Sequence, residues 1–207
     1  MSIVGGDVTV PPGPRTKAGQ SEATTRILLA EAGRLFARDG YAAVPLDEIT
    51  RAAGVTKGAL YHHFGSKAGL FTAVVARVQQ EVAARVAAAA DAESDPWDRL
   101  TAGCRAFLAS AADPDVQRIM LIDGPAVLGW NEWRRMDEES SARHLTEALT
   151  AMAETGAIAP QPVEPLARLL SGAMNEAALW LARSDDPADL DATVAALTRM
   201  LTALRPS

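Results

Sequence analysis

The sequence predicts an all-α protein, and three observations predict it. From Ser21 onward, alanine, leucine, glutamate and arginine dominate, and all are good helix formers. Apolar residues recur at steps of three and four, the period of one helix face. Runs of valine, isoleucine and threonine in strict alternation, the mark of a half-buried strand, are absent. The chain has 207 residues, 48% of them apolar. That is enough for a real core, in one medium domain or two small ones, and too apolar for disorder.

The elements follow in order. Residues 1–20 carry Gly5, Gly6, Pro11, Pro12, Gly13, Pro14 and Gly19 and read as a flexible N-terminal arm. A first helix is expected from about Glu22 to Asp39, with Leu28, Ala32, Leu35 and Phe36 on its buried face and Gly40 as its stop. Pro45 suits the first turn of a short second helix, Pro45 to Ala53, closed by Gly54. A third begins near Thr56, whose hydroxyl can cap it, and ends at about Phe64 before Gly65. Ser66 can cap a fourth that starts at Lys67, with Phe71, Val74, Val75, Val78 and Val82 along one face.

Downstream, Asp95-Pro96, Asp113-Pro114, Gly124-Pro125 and Asp186-Pro187 each put a cap-type residue before proline. Helices are therefore expected at about 96–112, 114–122, 125–155, 163–184 and 187–204, for about nine in total.

Charge divides the chain unevenly. The net charge is −6, yet residues 1–70 hold eight Lys or Arg against six Asp or Glu, while residues 71–207 hold twelve against twenty. All three lysines (Lys17, Lys57 and Lys67) fall in the first part. A basic N-terminal third on an acidic chain points to a local polyanion contact. With one cysteine, Cys104, an intrachain disulfide is impossible, and a reducing compartment fits. No apolar run reaches the length of a signal peptide core or a membrane span, so a cytoplasmic location is expected.

Two short helices joined by Gly54-Val55 make a helix-turn-helix between Pro45 and Phe64. Ile49, Ala52 and Ala53 pack beneath, and Val55 plugs the angle. In the second helix Leu60 and Phe64 face inward, four residues apart. Thr56, Lys57, Gly58, Tyr61 and His62 are left facing outward. A charge, two hydroxyls and a bare stretch of backbone suit close approach to a DNA major groove.

Residues 24–82 resemble the DNA-binding domain of TetR-family transcriptional regulators. The resemblance rests on Ile27 to Gly40 with Leu35-Phe36 and Gly40-Tyr41, on Asp47-Glu48-Ile49, on Ala53 through Phe64, and on Lys67 with Leu70-Phe71. It implies a dimeric, ligand-responsive, sequence-specific DNA-binding regulator, a repressor released from a palindromic operator by a small, largely apolar effector. Its domains would be the arm at 1–20, the helix-turn-helix domain at 21–82 and an effector-binding and dimerisation domain at 83–207. Thr56, Lys57, Tyr61, His62 and Lys67 would meet phosphates and base edges. Gly58 would admit the DNA backbone, and His63 would orient its neighbours. Arg15 and Lys17 make the arm either a minor-groove reader or an untethered tail. The chain departs from the family at Val44-Pro45-Leu46, which offers no hydroxyl for a phosphate; Thr50 and Arg51 are partial substitutes.

In the C-terminal part the fifth expected helix aligns Trp97, Leu100, Cys104, Phe107 and Leu108. Tryptophan and methionine concentrate between residues 120 and 180. Cys104, Phe107, Met120, Trp130, Asn131, Trp133, Met174 and Asn175 are the candidate effector-binding residues, with Glu176 as a further polar group. Leu190, Val194, Leu197, Leu201 and Leu204 follow a paired-helix spacing. With Leu170, Ala173 and Ala177 they form the expected dimer interface, a four-helix seam across a twofold axis. Nothing in the sequence suggests an enzyme, a cofactor or a metal site. It holds no nucleophile elbow, phosphate loop or metal-spaced cluster, and His62, His63 and His144 make no plausible ligand set.

Overall fold

The computed structural model describes residues 17–206, and every regular element among them is helical. The N-terminal unit consists of α1 (Lys17–Asp39), α2 (Leu46–Ala53), α3 (Lys57–Phe64) and the start of α4 (Lys67–Asp91). Helix α1 begins five residues earlier than expected, so residues 17–20 are helix and not arm. Residues 1–16, with Arg15, lie outside the described residues.

The buried face read from the sequence is the core of this unit. Leu28, Ala32, Leu35 and Phe36 of α1 close on Ile49, Leu60, Leu70 and Phe71, all essentially inaccessible. Phe36 meets Phe71 edge-on at 5.2 Å between ring centroids, and Tyr41 lies 4.8 Å from Phe71.

Helix α4 has 25 residues, about 37 Å at the α-helical rise. Its first turns bury Leu70, Phe71, Val74 and Val75 in the N-terminal core. Its last turns bury Val82, Ala83 and Val86 against the C-terminal helices. One continuous rod therefore belongs to both halves.

The C-terminal helices are α5 (Pro96–Ala111), α6 (Pro114–Gln117), α7 (Gly124–Leu128), α8 (Trp130–Glu138), α9 (Ser141–Glu154), α10 (Val163–Leu181) and α11 (Asp189–Thr202). Two of the Asp-Pro starts are capped as expected. The Asp95 carboxylate accepts from the Trp97 and Asp98 amides, and Asp113 does the same for Asp115 and Val116. The single helix expected at 125–155 is instead three. Gly129, at φ 79°, takes a backbone conformation that no helix contains, and Ser140 breaks the chain again before α9. The second half of the helix expected at 114–122 is instead a π-helical turn, Arg118–Asp123.

That π-turn leans on the junction between α1 and α2. Asp123 Oδ2 accepts from the Tyr41 amide at 2.7 Å. A Cβ at Gly40, where φ is 83°, would sit 2.7 Å from Arg118 Nη1. Gly40 is thus required by its backbone conformation, whereas the Arg118 guanidinium, at the end of a flexible side chain, could shift. The two halves are tied by this strap as well as by α4. No helix among the described residues is long and apolar enough to cross a membrane.

Candidate nucleic-acid interface and ligand cavity

The turn between α2 and α3 follows the logic of its residues. Gly54 sits in the left-handed region at φ 65°, and the Val55 amide donates back to Thr50 O at 3.0 Å. The Thr56 hydroxyl accepts from the Ala59 amide at 3.2 Å and caps α3. Leu60 is fully buried and Phe64 packs against the core, so the opposite face is forced outward. Thr56, Lys57, Gly58, Tyr61 and His62 are all exposed on it, and Tyr61 keeps 49% of its surface accessible.

Gly58 has space around it: a Cβ there would meet only the Thr56 hydroxyl, at 3.7 Å. Its φ is not in the left-handed region. Nothing inside the protein therefore demands glycine at this exposed point.

The charges on this face are held before any DNA arrives. Lys57 Nζ pairs with Asp47 Oδ1 at 2.5 Å, and that carboxylate raises the lysine's pKa. Lys67 Nζ stands 4.3 Å from the centroid of the Tyr41 ring, and partial burial lowers its pKa. His63 Nδ1 lies 3.4 Å from the Thr25 hydroxyl, which ties α3 to α1. Thr50 is turned inward, its hydroxyl donating to Asp47 O at 3.2 Å, so it is no substitute for a surface hydroxyl. Arg51 is exposed and remains one.

A cavity of about 410 Å³ opens between α4, α5, α9 and α10. Val86, Leu100, Phe107, Leu145 and Met174 give it apolar walls, and Cys104, Asp137, Ser141, His144 and Ser171 also line it. Burial pushes the Cys104 thiol up to about 12, which leaves it an inert wall group at neutral pH. Asp137 is 3% exposed, and burial pushes its carboxyl up to about 6 against the pull of Arg134.

Of the eight effector residues expected from the sequence, Cys104, Phe107 and Met174 reach this cavity. The others do not. Met120 is core, and Trp133 is a buried strut whose indole N–H donates to Met120 O at 2.6 Å. Trp130 is 63% exposed and lies against Trp133. Asn131 borders a shallow outer hollow. Asn175, with Glu176, Trp130 and Trp133, borders a separate hollow of about 370 Å³ beside α8 and α10. Trp133 is thus a structural post, while Trp130 borders both outer hollows. Asp137 and Ser141 flank the α8–α9 junction, and His144 and Ser171 lie within α9 and α10; they were missed because isolated polar residues of this kind carry no periodic signal in the sequence.

Most of the expected dimer seam lies inside the subunit. Leu170, Val194, Leu197 and Leu201 are at most 9% exposed within the single chain, and Leu190 is half-buried in the same packing. They face inward, so they are core and not contact surface. Their spacing is that of any helix with one buried side. Ala173 remains on the outer face of α10 and Ala177 is half-buried. The large exposed apolar residues of α10 and α11 are Leu169, Trp180 and Met200.

Comparison with known proteins gives one picture for both halves. Residues 28–74 match the model for bacterial regulatory proteins of the tetR family, and residues 97–204 match the tetracyclin repressor-like C-terminal domain. A crystal structure of a TetR-family transcriptional regulator from Pectobacterium atrosepticum is 38% identical, with a TM-score of 0.73 over 93% of this chain and 99% of that one. The transposon Tn10 TetC protein of Escherichia coli is 27% identical over 73% of this chain and 76% of its own length. The transcriptional activator FasR of Mycolicibacterium smegmatis is 40% identical, but the match spans 39% of this chain and only 36% of that protein.

Proposed function

The chain belongs to the TetR family of bacterial regulators, which are ligand-responsive DNA-binding dimers, and on that premise we propose that it is a repressor released from a palindromic operator by a small, largely apolar effector. The observation that carries this reading is α4. Its N-terminal end holds the helix-turn-helix core, and Val86, Ala87, Ala90 and Asp91 at its other end line the cavity. A ligand that displaces the far end of a continuous helix moves the near end with it. In a dimer the two recognition helices must match one turn of DNA, so a modest tilt alters the fit.

In this proposal residues 21–82 bind DNA and residues 83–207 bind effector and partner, in the cytoplasm where the DNA is. Thr56, Lys57, Tyr61, His62 and Lys67 touch the duplex and Gly58 admits its backbone. Phosphates take over Lys57 from Asp47. The second subunit docks on the outer faces of α10 and α11, through Leu169, Ala173, Trp180 and Met200. The apolar walls of the cavity favour an apolar effector. Repression is the simplest sign for such a device, although one relative is an activator.

Selection of bound duplexes from a random pool by the purified protein tests the reading, followed by a reporter driven through the recovered site. A palindromic site and a reporter that falls when the protein is expressed are expected. Non-palindromic sites, or a reporter that rises, would overturn the operator or the sign respectively.

A further inference from the structure

We infer that the effector is an uncharged, largely apolar molecule carrying one hydroxyl group, held at the Asp137–Ser141–Ser171 end of the cavity; this deepens the effector reading above and rests on it. The walls set the first part of the argument. Every charged side chain that lines the cavity already has a partner. Asp91 is bonded to Arg99 at 2.7 Å. Asp137 is bonded to Arg134 at 2.8 Å, both side chains being largely buried. Glu147 has Arg143 at 3.8 Å and His144 at 3.6 Å. A carboxylate ligand finds no free cation here, and an ammonium ligand finds no free anion. Either would add one net charge beside the buried Arg134–Asp137 pair, and that is unfavourable in a cavity with such walls.

The polar atoms set the second part. Ser141 is 5% exposed, and its Oγ has no hydrogen-bond partner. Turning about χ1 is all that hydroxyl needs to seek one in the cavity it lines. Ser171 Oγ accepts from Arg134 Nη1 at 3.0 Å, and its own hydroxyl bonds to the Asp137 carboxylate. Asp137 offers carboxylate lone pairs alongside. A ligand hydroxyl can donate to the carboxylate and accept from Ser141, so one group satisfies the serine left without a partner. The rest of the molecule then meets Val86, Leu100, Phe107, Leu145 and Met174. A volume of about 410 Å³ is within the usual range for a small-molecule site.

Octan-1-ol, octanoate and octylammonium share one chain and differ only in headgroup, so titrating each into the full-length protein tests the inference. Octanol should bind at least about tenfold more tightly than either ion, the scale of one hydrogen bond gained or one group left unpaired. Ser141→Ala should lose most of that preference, and Ser141→Thr, which keeps the hydroxyl, should retain it. Because Ser141 Oγ has no partner, Ser141→Ala should melt no lower than the wild type, so a loss of binding is not a loss of folding. Equal or tighter binding of either ion, or no binding of octanol, would overturn the inference. The same titrations repeated on operator-bound protein separate it from its premise. Octanol bound in the expected order with no change in operator affinity refutes the effector reading and leaves the cavity chemistry standing.

Discussion

Asp137 makes the stability of the protein depend on pH in a direction that can be worked out. Its carboxyl is pushed from the ordinary 3.8 up to about 6, mainly by burial, with Arg134 pulling the other way. The folded state therefore holds this proton more tightly than the unfolded chain. Stability from this group is fully present below about pH 4 and is lost as pH rises through 6. A difference of about two pKa units corresponds to about 3 kcal/mol, and roughly half of that is regained by pH 5. Asp137→Asn is the perturbation, since an amide mimics the protonated acid and cannot ionise. Arg134 keeps Glu138 and Ser171 as partners in the variant. Urea unfolding of both proteins at pH 5 and pH 8 should show the variant gaining on the wild type by about 1–2 kcal/mol between the two. An offset that is the same at both pH values would refute the argument, because it would place the folded and unfolded pKa values together.

Three further outcomes are expected. Tyr61→Ala should leave thermal stability unchanged, because the ring is half-exposed, yet weaken operator binding by about 1–3 kcal/mol in a gel shift; unchanged binding would remove Tyr61 from the interface. Asp47→Asn frees Lys57 and removes a negative charge from the DNA face, so binding should tighten on operator and random duplex alike, and a gain confined to the operator would contradict this. Leu197→Arg puts an unpaired charge in the subunit core and should unfold the protein, whereas Trp180→Arg should give folded monomers in sedimentation. Dimers formed by Trp180→Arg would move the interface elsewhere.

The sequence alone determined the fold class and the helix-turn-helix. Those depend on local rules: helix period, proline after a cap, glycine at a turn, and an apolar residue every third or fourth place. Gly54 must be left-handed for the α2–α3 turn, and with Leu60 buried, Tyr61 must point away. A recognition face is therefore legible one residue at a time. The cavity and the dimer face were not. Periodicity says that Leu197 is on the apolar side of its helix, but not whether that side meets α5 or another subunit; the fold chose α5. It says that tryptophans cluster near residue 130, but not that a π-turn places the Met120 carbonyl where the Trp133 indole can donate to it. Asp137, Ser141 and Ser171 come together only because α8 ends, α9 begins and α10 crosses at one point. Which residues share a wall is a property of how helices pack against one another, and that depends on contacts between distant parts of the chain.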